Sequence, residues 1–305
     1  MQAAGLFKGT MSRRGWLLFA AMCLIWGVPY LLIKVAVDEM SPAVLVLGRT
    51  AIGAALLLPI AAARGELRPL RGRWVPVLAF AAIEIAIPWV LLGAAETKIS
   101  SSLTALLISG VPLVAVLIAR TTGGRERLGL HRGVGLLLGV LGVAAIVGVN
   151  LDGASVPAMV AVGAVAVCYA VGPVILQRWL QDVPAMAVIA ASLAVTAVVY
   201  APIAAFSFPE RTPSAKALGS VLGLAVVCTA LAFVVFFALI AEIGPVRATV
   251  ITYVNPAVAA VLGVAILGET FTLGMGVGFV LVLAGSVLAT RPPASQDRAL
   301  VLDPA

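Results

Sequence analysis

The stretch PAVLVLGRTAIGAALLLPIAA, residues 42–62, sets the fold class. A bilayer core of about 30 Å is crossed by about 20 helical residues at 1.5 Å each, and this run is that long with Arg49 as its only charge. It shows no period-2 alternation, so it is not a strand of an outer-membrane barrel. It reads as one transmembrane helix.

Runs of the same kind recur from end to end. Of 305 residues, 62% are hydrophobic and 11% charged, with a mean hydropathy of +1.16. A soluble domain carries about 25% charged residues, so this chain cannot cover a water-facing surface. We expect an all-α integral membrane protein with ten transmembrane helices at about 15–37, 42–62, 74–95, 100–120, 132–149, 156–178, 184–206, 214–241, 245–267 and 272–290. The first run follows Lys8, Arg13 and Arg14 as a signal peptide would, but it is longer than an h-region and lacks a small-residue cleavage site. It is kept as the first helix.

The net charge of +7 and the sequence pI near 9.8 come from basic residues scattered over short loops, which argues for topology rather than nucleic-acid binding. Fifteen lysines and arginines fall in one set of connections and termini (Lys8, Arg13, Arg14, Arg64, Arg68, Arg71, Arg73, Arg120, Arg125, Arg127, Arg132, Arg178, Arg247, Arg291, Arg298) and three in the other (Lys98, Arg211, Lys216). Positive charge stays inside, so both termini are expected in the cytoplasm.

Landmarks of the first half recur in the second. Pro42 matches Pro184, Pro59 matches Pro202, Pro112 matches Pro256, Glu126 matches Glu269, Gly135 matches Gly278 and Gly142 matches Gly285, all about 143 residues apart. A unit of five helices is odd in number, so its second copy enters the membrane from the opposite side. The expectation is two inverted-topology repeats, 1–150 and 151–291, followed by a cytoplasmic tail at 292–305. Inverted repeats are the architecture of secondary transporters, where two halves rock about a site near the midplane.

Little else in the chain carries chemistry. Cys23, Cys168 and Cys228 sit in apolar runs without CxxC spacing, His131 lies in a loop, and no HExxH, GxSxG, Walker or GxGxxG context is present. No metal, cofactor or enzyme activity is expected.

The residues also carry a family resemblance. Leu24-Ile25-Trp26-Gly27, Arg49, Thr104-Ala105-Leu106-Leu107 leading to Pro112, and Gly268-Glu269 before a glycine-rich last helix resemble the EamA-domain family of the drug/metabolite transporter superfamily. The resemblance covers all ten helices. It implies a carrier exporting amino acids, aromatic metabolites or related small molecules through a central cavity lined by helices 1, 3, 4, 6, 8 and 9, with helices 5 and 10 paired at the periphery.

An ionisable group at the bilayer centre costs about 2.5–3.5 kcal/mol on insertion scales, so each one needs a reason. Glu84, in Ile83-Glu84-Ile85-Ala86-Ile87-Pro88-Trp89, lies closest to the midplane and is a candidate substrate or proton site. Arg49 sits about 6 Å nearer the outer boundary, within reach of Glu84, and is expected to fix the second helix against the third. Lys34 is expected to snorkel outward beside Asp38. Trp26, Tyr30 and Lys34 share one helical face, and the repeat sets Trp26 opposite Tyr169, so aromatic faces are expected to meet on the pseudo-twofold axis. With Trp89 they form the aromatic part of the expected binding set. Ser101 and Thr104 on the fourth helix, and Thr252, Tyr253 and Asn255 on the ninth, form its polar part beside paired kinks at Pro112 and Pro256.

The leading function is a secondary exporter of amino acids or related small metabolites. Organic-cation efflux is a second reading, weakened because the first helix has no carboxylate before Asp38. An intramembrane lipid-processing enzyme or scramblase is a third, against which stands the lack of an ionisable cluster at one membrane face. The partners expected are a small-molecule substrate and the lipid bilayer.

Overall fold

The computed structural model describes residues 11–121, 130–148 and 156–290. The expected landmark Glu126, the loop charges Lys8, Arg125, Arg127, Arg291 and Arg298, and the tail at 292–305 lie outside them.

Ten helices cross the described structure: α1 (Arg13–Val37), α2 (Pro42–Ala63), α3 (Trp74–Glu96), α4 (Ser101–Ala119), α5 (Gly133–Gly148), α6 (Val156–Trp179), α7 (Ala185–Ala205), α8 (Ala215–Ile243), α9 (Ile251–Leu267) and α10 (Leu273–Ala289). Seven are long and apolar enough to span a membrane, and α5, α9 and α10 are shorter apolar helices. Short hydroxyl side chains start many of them. Ser12, Ser41, Ser100, Ser214 and Thr272 each accept a first-turn N–H that would otherwise be orphaned. Gly268, at φ 67°, ends α9 in the left-handed conformation that glycine adopts without penalty.

The helices pair as the duplication demands. Exchanging the halves sends α1 to α6, α2 to α7, α3 to α8, α4 to α9 and α5 to α10. The contacts α2–α7, α4–α9 and α5–α10 map onto themselves, while α3–α6 maps onto α1–α8 and α4–α6 onto α1–α9. The protein is therefore an all-helical membrane protein built from two repeats. A π-helical turn interrupts α3 at Ala81–Ala86 and another interrupts α8 at Val226–Leu231, in corresponding places. Such widened turns concentrate at functional sites.

At the outer end, Ser41 and Ser207 share a hydrogen bond of 2.9 Å, and the Glu39 carboxylate accepts the N–H and hydroxyl of Ser214, both at 2.6 Å. Those donors hold the Glu39 carboxyl below its usual range. The tie is complete above the usual carboxylate range and is lost only as pH falls through that lowered value. At the opposite, arginine-rich end, Arg73 and Asp182 form an ion pair at 2.5 Å.

The peripheral pair α5 and α10 meets backbone to backbone. A Cβ on Gly142 would lie 2.7 Å from the Gly278 carbonyl, one on Gly278 2.6 Å from the Gly142 carbonyl, and one on Gly285 2.5 Å from the Gly139 amide. The backbones of α5 and α10 touch directly, as small residues permit where lipid supplies no hydrophobic drive. Gly142→Leu should therefore force the pair apart and lower stability by about 1–3 kcal/mol. Gly148→Leu, where a Cβ meets nothing within 4 Å, should leave thermal unfolding in detergent unchanged.

Candidate functional site

Arg49 projects from α2 into the middle of the bundle, where it is only 8% exposed. Its Nε donates to the Thr229 hydroxyl at 2.9 Å, and its guanidinium carbon stands 3.5 Å over the centre of the Trp89 ring. Thr229 spends its own proton on the Leu224 carbonyl at 2.8 Å, leaving a lone pair for the arginine. A charge-assisted hydrogen bond contributes about 1.5–3 kcal/mol and a desolvated cation–π contact about 2 kcal/mol. Removing an ion from water costs several kcal/mol, so these contacts hold the cation without neutralising it. No carboxylate pairs with Arg49 among the described residues, and its two terminal nitrogens make no hydrogen bond there.

Glu84 occupies the π turn of α3, as Thr229 occupies that of α8; each is the fourth residue of its turn. The Glu84 Oε2 atom is sealed from solvent and has no hydrogen-bond partner. It lies against Gly172 of α6, where any Cβ would overlap it. Tyr169, three residues before Gly172, faces the indole N–H of Trp89 and lies within electrostatic reach of both Glu84 and Arg49. Tyr30 on α1 completes the group from the other side, near Tyr169 and Arg49. Arg49, Glu84, Trp89, Tyr30 and Tyr169 thus converge from four helices.

The expected ion pair is not formed. Arg49 turns to Trp89 and Thr229 instead, and Glu84 remains unpaired. Other expectations also change. The Trp26 ring packs on Phe236 and Phe233 of α8, at 4.7 and 6.2 Å between centroids, rather than on Tyr169. Lys34 does not snorkel to Asp38: its Nζ turns inward to the Glu96 carbonyl at 2.6 Å. Thr104 is fully buried and bonds back to the Ser100 carbonyl, so it serves its own helix. Ser101 is fully buried at the outer end of α4. Thr252 is exposed and bonds the Thr249 carbonyl, while Tyr253 is half-buried one residue on. The Asn255 amide nitrogen, oriented by its surroundings, reaches the carbonyls of Ile251 and Cys23 and joins α9 to α1. The prolines are not matching kinks either. Pro256 lies within continuous α9, whereas Pro112 follows a break at Ser109 and Gly110 and reopens the helix.

Sequence reasoning missed Thr229, Gly172 and Glu96. The repeat offset of about 143 sends Glu84 to Val227 rather than to Thr229, and only the π turns of the structure bring Glu84 and Thr229 into equivalent places.

Comparison with known proteins places this geometry. The EamA-like transporter family model matches residues 13–148 and again 156–291. The chain belongs to the EamA-like transporter family. It is 30% identical to the uncharacterized inner membrane transporter YedA of Escherichia coli K12, over 90% of this chain and 92% of that one. It is 26% identical to the uncharacterized transporter YvbV of Bacillus subtilis, over 93% and 94%. A solved crystal structure shares the fold at TM-score 0.66 and 24% identity, covering 90% of this chain and 96% of its own. The protein is accordingly a multi-pass transporter of the inner membrane, not an enzyme, which sets aside the lipid-processing reading.

The packing at Gly172 yields a prediction. Gly172→Ala should displace the Glu84 carboxylate and reduce transport while the helical content is kept. Gly163→Ala on the same helix, where a Cβ meets nothing within 4 Å, should transport at the wild-type rate in the same vesicle assay.

Proposed function

We propose that this EamA-family transporter exports amino acids or closely related small zwitterions by alternating access. The observation that carries the reading is that Arg49 and Glu84 flank one aromatic group, Trp89 and Tyr169, without pairing with each other. A substrate carboxylate would meet the unused guanidinium N–H groups, which suit it bidentately. Its ammonium would meet the unpartnered Glu84 oxygen. An apolar or aromatic side chain would lie on Trp89, Tyr169 and Tyr30, whose faces also attract cations. Each charge that the fold leaves uncompensated is then compensated by the cargo. The absence of an ATP-binding signature in the sequence supports drive by a gradient.

Organic-cation efflux remains as a second reading, because Glu84 and the aromatic rings alone would hold a cation. Arg49 separates the two.

Vesicles reconstituted with the protein and loaded with labelled amino acids should exchange label faster than empty-vesicle controls. Arg49→Gln should reduce that exchange by about 30-fold or more, the equivalent of losing one buried charge partner worth about 2–5 kcal/mol. Glu84→Gln should impair it as well. Absence of enhancement across all twenty amino acids would sink the proposal, and a lipophilic cation transported equally by wild type and Arg49→Gln would favour the second reading.

A further inference from the structure

A second set of buried polar groups gathers at the outer end of the bundle and adjoins the substrate site through Tyr30. Glu96 closes α3, is 0% exposed, and has no hydrogen-bond partner on either carboxyl oxygen. The Ser101 hydroxyl at the start of α4 is equally enclosed and unpartnered. Lys34 of α1 is spent on the Glu96 main-chain carbonyl at 2.6 Å rather than on its carboxyl group. Glu269, from the connection between α9 and α10, is fully engaged. It accepts the N–H of Ser101 at 2.7 Å, the N–H of Ser102 at 2.9 Å and the Ser102 hydroxyl at 2.5 Å, and so caps α4. Gly263 of α9 makes this approach possible, since a Cβ there would overlap Glu269 Oε2 and the Ser102 hydroxyl.

Four parts of the chain therefore meet around a carboxyl group that nothing bonds. The charged and titratable groups facing Glu96 are Lys34 and Tyr30 of α1 and Glu269 of the α9–α10 connection, while α4 contributes only serine hydroxyls. An enclosed carboxylate without donors costs several kcal/mol, and a proton removes that charge. By linkage, enclosure of this cluster and a proton on Glu96 must favour each other.

We propose that Glu96 is a proton-binding site that governs the outer seal of the transporter. A proton taken from the outer water onto the Glu96 carboxylate lets α1, α3, α4 and the α9–α10 connection close as observed. Return of that proton to the outer water leaves a carboxylate that draws water in and separates them. The inference does not depend on which substrate Arg49 and Glu84 hold.

The test uses the full-length protein in lipid nanodiscs, its native cysteines replaced, with spin labels at Lys98 and Thr270. Both positions are exposed and flank the cluster. Electron–electron resonance distances are recorded from about pH 5 to about pH 8, a range in which side chains near neutrality ionise. A short distance should dominate at the acid end and a longer population should grow as pH rises. Glu96→Gln should hold the short distance throughout, Glu96→Asp should restore the pH response, and Glu269→Gln should retain it. A wild-type distribution indifferent to pH, a Glu96→Gln protein that responds like wild type, or loss of the response in Glu269→Gln alone would overturn the assignment. Because no substrate is present, failure here leaves the zwitterion reading standing, and failure of that reading leaves this one testable.

Discussion

A guanidinium held inside a bilayer governs the arrangement of this molecule. Lipid offers it nothing, so Arg49 finds its partners on neighbouring helices. It finds the face of Trp89 on α3 and the lone pair of Thr229 on α8. Those two contacts fix α2 against one helix from each half. They also stop short of an ion pair, which leaves the cation able to attract an anion from outside the fold.

The duplication supplies a symmetric backbone, and substitution makes it directional. Both halves carry a π turn in the same place, but the first presents Glu84 and the second Thr229. Had both been carboxylates, Arg49 would be neutralised where it now meets a hydroxyl. The result is a guanidinium beside α8 and an unpaired carboxyl group beside α6, with aromatic rings between them.

The span count and the repeat were legible in the sequence, because hydropathy and the spacing of prolines and glycines report on each helix as an object, while the peripheral α5–α10 pair was an implication of the family resemblance. Arg49 and Glu84 stood out for the same reason, as rare charges in apolar runs. The neighbours they choose were not legible. Helical spacing put Trp26 on the face of Tyr30, yet α1 bends between them at Val28, before Pro29, and Trp26 packs on the phenylalanines of α8. Thr104 and Asn255 read as cavity-lining because they are polar, whereas each satisfies backbone carbonyls within or between helices. Glu96 looked like the first residue of a loop, since Thr97 and Lys98 follow it. Its enclosure is created by segments far away in the chain.

The glycine seam between α5 and α10 has a mechanical meaning. Where main chain rests on main chain at Gly135, Gly142, Gly278 and Gly285, with Ile146 and Val282 packed alongside, the two helices cannot slide or roll past each other without a clash. The seam therefore joins the last helix of one repeat to the last helix of the other as a single body, and under the proposed alternating access the pair moves as one piece.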